Sequence, residues 1–170
     1  MESTLASSNV QNGAIKIPHA LWACAIFQLR KRSAGKRESG AFLLCPKGAK
    51  SAKVTAFVCY DDLDPDAYQS GVIAFHAAGY SALWRHCGEH ELRVLADVHT
   101  HPGKSVRQSW IDQRNPMIPR VGHTALIVPN LGQTPWWHLK EVGIYEYLGN
   151  FSWHSHSSAA VPRQVSLTLW

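Results

Sequence analysis

The 170 residues suffice for one domain with a sizeable core and fall short of two ordinary ones. Hydrophobic residues make up 45% and charged residues 17%, a balance that excludes a disordered chain. The net charge of +5 permits an acidic partner without specifying nucleic acid, and the longest apolar stretch, Ala20 to Phe27, is far too short for a membrane span.

Residues 1–15 are polar, contain no apolar run of the secretory type, and read as a flexible arm. A single domain is expected over residues 16–170. From His19 to about Lys31, apolar residues recur at helical spacing after Pro18, which predicts an amphipathic helix. Arg30 to Arg37 then reads as a basic loop with five Lys or Arg in eight positions, better explained as a solvated loop than as a steering patch. Glu38 to Cys45 and Val54 to Tyr60 read as strands, and Asp61 to Asp66 as a turn. A second helix is expected over Ile73–Cys87, then a strand over Leu92–His99 that Pro102-Gly103 terminates. Ser109 to Arg114 reads as a short helix stopped before Pro116. Strands follow at Val121–Val128, Val142–Leu148, Phe151–His156 and Gln164–Trp170. The order predicts an α+β fold with a mixed β-sheet flanked by helices. Cys24, Cys45, Cys59 and Cys87 form no C-x-x-C pair and read as reduced, apolar core residues, which implies a cytoplasmic protein.

The most specific pattern is His99-Thr-His101, seven residues, then Ser109-Trp-Ile-Asp112. Two imidazoles and a carboxylate are a common three-ligand set for a Zn²⁺ ion that keeps a position open for water. His99 and His101 share a strand face, with Thr100 opposite. Ser109 and Asp112 share a helix face. An H-x-H pair alone is unremarkable among ten histidines, and His154-Ser-His156 is a second one, with no Asp or Glu downstream of it. Ser109-x-x-Asp112 alone reads as a helix cap. The combination at fixed spacing points to a metal hydrolase. Its base must be a carboxylate beside the water. Glu38 is the candidate, and its position leaves it either exposed at a strand start or aimed into the site. Asp97 shares a face with His99 unless the strand bulges, and could support it from behind. His123 could lie near the site or play no part. Trp22 and Trp84 fit helix core faces, whereas Trp136-Trp137 and Trp153 are docking candidates or late-strand core.

The set Glu38, His99-Thr-His101-Pro-Gly, Ser109-x-x-Asp112 resembles the signature of the JAMM/MPN+ (JAB domain) zinc metallopeptidases, and matches it in spacing and residue type. The resemblance covers the layout from the first helix through the strand at Val121, most of the chain. It implies a JAB/MPN-type fold similar in architecture to cytidine deaminases. It implies that His99, His101 and Asp112 bind zinc, that Glu38 polarises the water and shuttles its proton, and that Ser109 hydrogen-bonds the oxyanion, a task often worth about 3 kcal/mol. Members with the full set cleave isopeptide or peptide bonds after ubiquitin or ubiquitin-like C termini. The run Asn115 to Asn130 makes the chain look most like small bacterial members encoded beside ubiquitin-like, activating and conjugating proteins, which would be its partners. The segment from Asp112 to Val121 is too short for the insertion by which some eukaryotic relatives recognise chain linkage. The expected function is therefore deconjugation or precursor processing of a ubiquitin-like protein. The alternatives are a peptidase on another tail, such as a sulfur-carrier precursor, and a non-catalytic scaffold. Nucleic-acid and membrane partners are not expected. A nucleoside deaminase would need H-x-E and P-C-x-x-C, and neither is present.

Overall fold

The computed structural model describes residues 14–156 and 164–170. Strand β1 (Ile15–Pro18) leads directly into helix α1 (His19–Ser33). Strands β2 (Gly40–Pro46) and β3 (Ala56–Cys59) follow, then the single turn of helix α2 (Tyr60–Leu63) and helix α3 (Ala77–Glu89). Strand β4 (Leu92–Thr100), short helix α4 (Trp110–Arg114), and strands β5 (Thr124–Val128), β6 (Gly143–Gly149), β7 (Ser152–Ser155) and β8 (Val165–Thr168) complete the chain. Six strands form one sheet in the order β3-β2-β4-β5-β6-β7, while β1 and β8 pair in parallel as a separate ribbon. Only β4 and β5 run parallel within the large sheet. The fold is α+β, a mixed sheet with helices on both faces.

Helix α1 buries Trp22, Ala25, Ile26 and Leu29, a stripe at helical spacing. This stripe packs on Ala41, Leu43, Cys45, Val98, Leu126 and Ile144. The opposite face of the sheet meets α3 through Phe42, Leu44 and Val94, which pack with Tyr60, Leu83 and Cys87. Strand β2 thus alternates between two cores and is buried on both faces, as its continuous apolar run requires.

Strand β4 changes phase within its length. Leu43 pairs with Ala96 and Leu44 with Val94, so Leu95 is left over as a one-residue bulge. Val94 faces the α3 core, and beyond the bulge Ala96 and Val98 face the α1 side. Asp97 and His99, paired with Phe42 and Gly40, therefore face the α3 side. Unbroken alternation from Val94, with Leu95 taking a place in the ladder, would instead put the histidines under α1.

Most expected elements appear within a few residues of their predicted bounds, and the differences have local causes. The basic loop expected from Arg30 is in part the last turn of α1, where Arg30, Lys31 and Arg32 meet the negative end of the helix dipole. The helix ends as Ala34 and Gly35 turn left-handed at φ 49° and 68°. Arg32 is tied to Asp61 at 2.7 Å and Asp62 at 3.0 Å, so the acidic turn is a partner of the basic segment. Ile15 opens β1, which was not anticipated; the rest of the expected arm lies outside the described residues, apart from Ala14. Trp84 was expected in the core but projects from α3 at 51% exposure. Cys24 is exposed on α1, whereas Cys45, Cys59 and Cys87 are buried as expected. Among the described residues, no helix is long and apolar enough to cross a membrane.

Candidate metal centre

His99 is the penultimate residue of β4 and His101 lies just beyond the strand, where the chain is still held as if in a ladder. The His101 N–H donates to Val128 at 2.9 Å, and the Leu131 N–H donates to the His101 carbonyl at 2.8 Å. The chain then loops out and is anchored where the Tyr145 hydroxyl donates to the Val106 carbonyl at 2.8 Å. It returns at α4. Ser109 caps that helix: its Oγ accepts the Asp112 N–H at 3.1 Å, and the Asp112 carboxylate accepts the Ser109 N–H at 2.6 Å. The capping role anticipated as an alternative is present, and the same carboxylate also reaches the histidines.

Donor atoms of three residues, a triangle of side chains, converge, with each imidazole nitrogen facing a different oxygen of the Asp112 carboxylate. His99 Nε2 is 3.3 Å from His101 Nε2, Asp112 Oδ1 is 3.4 Å from His99 Nε2, and Asp112 Oδ2 is 3.3 Å from His101 Nε2. Two donors about 2.0–2.1 Å from one ion, separated by a tetrahedral angle, stand about 3.4 Å apart. The separation of the two imidazole nitrogens therefore matches one edge of a zinc tetrahedron, and a carboxylate oxygen stands at a similar distance from each of them. His99 and His101 are buried, while Asp112 sits at the edge of a cleft of about 700 Å³. That cleft leaves the fourth direction accessible. The donor set of two nitrogens and a carboxylate oxygen suits zinc.

The electrostatics bind the three groups to one another. Burial pushes the Asp112 carboxyl up, but hydrogen bonds with His101, His99 and Ser109 outweigh it and hold the group well below the usual carboxylate range. Burial lowers the His99 imidazole, yet Asp112 and Asp97 raise it to about 10. A cation entering the triangle therefore replaces a proton.

Glu38 lines the same cleft, half-buried. Burial raises its carboxyl above the ordinary range, opposed by His99 and His101 and by a backbone hydrogen bond from Ile73. Its placement comes from a buried knot of hydroxyls on the far side of β4. Thr100, facing away from the site as its parity predicts, accepts the Ser39 N–H at 3.0 Å, and its own N–H donates to the Ser39 carbonyl at 2.9 Å. Ser39 Oγ in turn donates to the Leu29 carbonyl at 2.8 Å and lies 2.9 Å from Ser33 Oγ. The residue between the two histidines thus fixes the segment that carries Glu38. Nothing local in the sequence marks this link except the alternation that turns Thr100 inward.

The other flagged residues distribute differently. His123 is fully buried just before β5 and its Nε2 meets Asp97 Oδ1 at 2.7 Å. His156 of the second H-x-H pairs with upstream Glu146 at 2.9 Å across the β6–β7 hairpin, so an acid is present there although none lies downstream. Cys59, Asp61 and Asp62 also cluster, but Arg32 already occupies both carboxylates. Trp136 and Trp137 are exposed and stacked edge-on, and Trp153 lines the cleft with its indole N–H on the Gln113 carbonyl.

No family model matches the chain. Over 77 residues it is 29% identical to a probable metalloprotease, y4jG, of Sinorhizobium fredii; the match covers 45% of this chain and 46% of that protein, so the chain aligns with about half the length of its curated relative. Among solved structures, protein DSY2949 from Desulfitobacterium hafniense superposes with a TM-score of 0.62 over 91% of this chain and 92% of that one, at 16% identity. A protein from Salinibacter ruber gives 0.53 over 83% and 88%, at 17% identity. AF2198, a JAB1/MPN domain protein from Archaeoglobus fulgidus, gives 0.46 over 80% and 91%, at 19% identity. The chain shares the fold of the first two and is similar in sequence, over that partial stretch, to a protein named as a metalloprotease.

Proposed function

We propose that this chain is a JAMM/MPN+-type zinc metallopeptidase that cuts after the C-terminal tail of a ubiquitin-like protein. The observation that carries the metallopeptidase assignment is the convergence of His99, His101 and Asp112 on one point, close enough together to hold a single ion and bordering the cleft that Glu38 lines. The partial likeness to a probable metalloprotease supports it. Bound in the triangle, zinc supplies Lewis acidity that brings a water's pKa to roughly 7. Glu38, with a carboxyl raised by burial, takes a proton from the attacking water and returns it to the leaving amine. The Ser109 hydroxyl accepts the Asp112 N–H, which leaves its own proton free to donate toward an oxyanion in the cleft.

The tail preference rests on the signature and on the shape of the sheet. Strand β7 is an outer strand of the large sheet, and its Trp153 lines the cleft. An extended tail can add to that edge by backbone hydrogen bonds and reach the triangle with its last residues. Activating and conjugating enzymes of the same pathway, and a cytoplasmic setting, belong to the same proposal.

The test is hydrolysis of a panel of ubiquitin-like fusions and isopeptide conjugates by the zinc-loaded chain. Wild type is expected to cleave, and Glu38→Gln to lose about 10²–10⁴-fold in rate while still holding zinc. Equal rates for the two proteins would overturn the role of Glu38. Cleavage of unrelated peptides alone would replace the tail preference with a different substrate class.

A further inference from the structure

Behind His99 lies a buried polar cluster that the proposed chemistry leaves unused. Asp97 is 1% exposed, between the α3 core and β4. Its Oδ1 accepts from His123 Nε2 at 2.7 Å, and its Oδ2 accepts from the Tyr60 hydroxyl at 3.4 Å. Both donors are themselves fully buried. They arrive from separate elements, Tyr60 from α2 and His123 from the residue before β5. A buried carboxylate is expensive even when paired, and well-packed apolar residues often serve stability as well or better. Packing alone therefore gives no reason for Asp97 and His123.

The reason lies in the second oxygen. Asp97 Oδ2 is 4.0 Å from His99 Nδ1, on the ring edge opposite the nitrogen that faces Asp112 and His101. A histidine that offers Nε2 to a metal must carry its remaining proton on Nδ1, and an acceptor behind the ring fixes that tautomer. His101 has the equivalent support, since its Nδ1 lies 3.2 Å from the Ser105 carbonyl. Each ligand histidine is thus backed by an oxygen: a neutral carbonyl for one and an anion for the other. At 4.0 Å the Asp97 contact exceeds a hydrogen bond, so it acts through charge on the Nδ1–H dipole. His123 Nδ1 has no hydrogen-bond partner among the described residues. A neutral His123 with its proton on Nε2 leaves only a lone pair unmet and spends its single donor on Asp97.

We propose that Asp97 is a positioning residue for the metal centre, holding His99 in its metal-binding tautomer and orientation, and that His123 is the donor that aims Asp97. This rests on the zinc assignment made above. The experiment is a zinc titration of purified protein in competition with a chromogenic chelator, alongside thermal melts of the metal-free forms. Asp97→Asn is expected to weaken zinc about 10–100-fold, the usual cost of losing an outer partner. His123→Gln, whose amide N–H can still reach Asp97, is expected to stay within about threefold of wild type, and His123→Leu to follow Asp97→Asn. Unchanged affinity in Asp97→Asn would overturn the proposal, whatever its melting temperature, because a purely structural role moves only the melt. Should Asp97→Asn fail to fold, zinc-loaded wild type still decides: a slowly exchanging downfield Nδ1–H signal from His99 is expected, and its absence overturns the proposal. Failure of wild type to bind zinc at all would sink the metal assignment instead, a result distinguishable from both.

Discussion

Gly40→Ala tests whether the register that sets the site is as tight as it looks. Gly40 pairs with His99 and lies two residues beyond Glu38. A Cβ built on it would meet the ring of Tyr60, at 2.7 Å from Cδ2 and 2.8 Å from Cζ, and closer still to Cε2. Carbon atoms in contact normally sit about 3.5–4.0 Å apart, so the ring must move by about 1 Å. It has little room: Tyr60 is fully buried, with ring centroids 4.8 Å from Phe42 and 5.4 Å from Phe75. Overpacking of this kind costs about 1–3 kcal/mol. For a domain of this size each kcal/mol moves the melting midpoint by about 2–4 °C, so a fall of about 2–12 °C is expected by differential scanning fluorimetry. Gly48→Ala is the control, because a Cβ there has nothing within 4 Å, and it should stay within about 0.5 kcal/mol. Coupling is a second check: with Tyr60→Leu already in place, Gly40→Ala should cost less than it does alone. A Gly40→Ala protein that melts within a degree of wild type would refute the close approach of Tyr60 to the backbone of β2.

Three further outcomes are expected. Since burial raises the Glu38 carboxyl, the acid limb of the cleavage profile should lie above the ordinary carboxylate range: activity is full above the raised pKa and is lost as pH falls through it, and a limb near pH 4 would contradict this. Ser109→Ala removes the cap of α4 and one of the hydrogen bonds that hold Asp112 down, and should cost about 0.5–2 kcal/mol in stability, read by denaturant titration, together with weaker zinc retention. Zinc binding near pH 7.5 should release about one proton, because His99 is lifted to about 10 in the metal-free triangle; calorimetry in buffers of different ionisation enthalpy reads this directly.

What could be read from the chain followed from local rules. Apolar runs and Pro-Gly breaks located β2, β4 and β5. Period-2 alternation placed His99 with Asp97, and helical spacing placed Ser109 with Asp112. What escaped was non-local. Ile15–Pro18 has no strand signature and becomes β1 only by pairing with Val165–Thr168 at the far end of the chain. Trp84 sits on the helical pattern, but α3 buries the face of Gly79, Leu83 and Cys87, which leaves Trp84 exposed. The Ser33–Ser39–Thr100 knot joins three segments whose closeness depends on the finished sheet. Tyr60 gave no sign of reaching Asp97, because it read as the last residue of a strand, followed only by an acidic turn.

The unpaired Leu95 gives β4 two independent reading frames. Upstream of it, hydrophobic exchanges answer to α3; downstream, the frame is locked by the imidazoles. Were the strand to run from Val94 to Thr100 with every residue kept and no bulge, unbroken alternation would turn both rings toward Trp22 and present Val98 and Thr100 to the cleft. A chain with the same histidine spacing but no such insertion must therefore carry the opposite hydrophobic phase in the first half of this strand, a criterion that an alignment can apply before any coordinates exist.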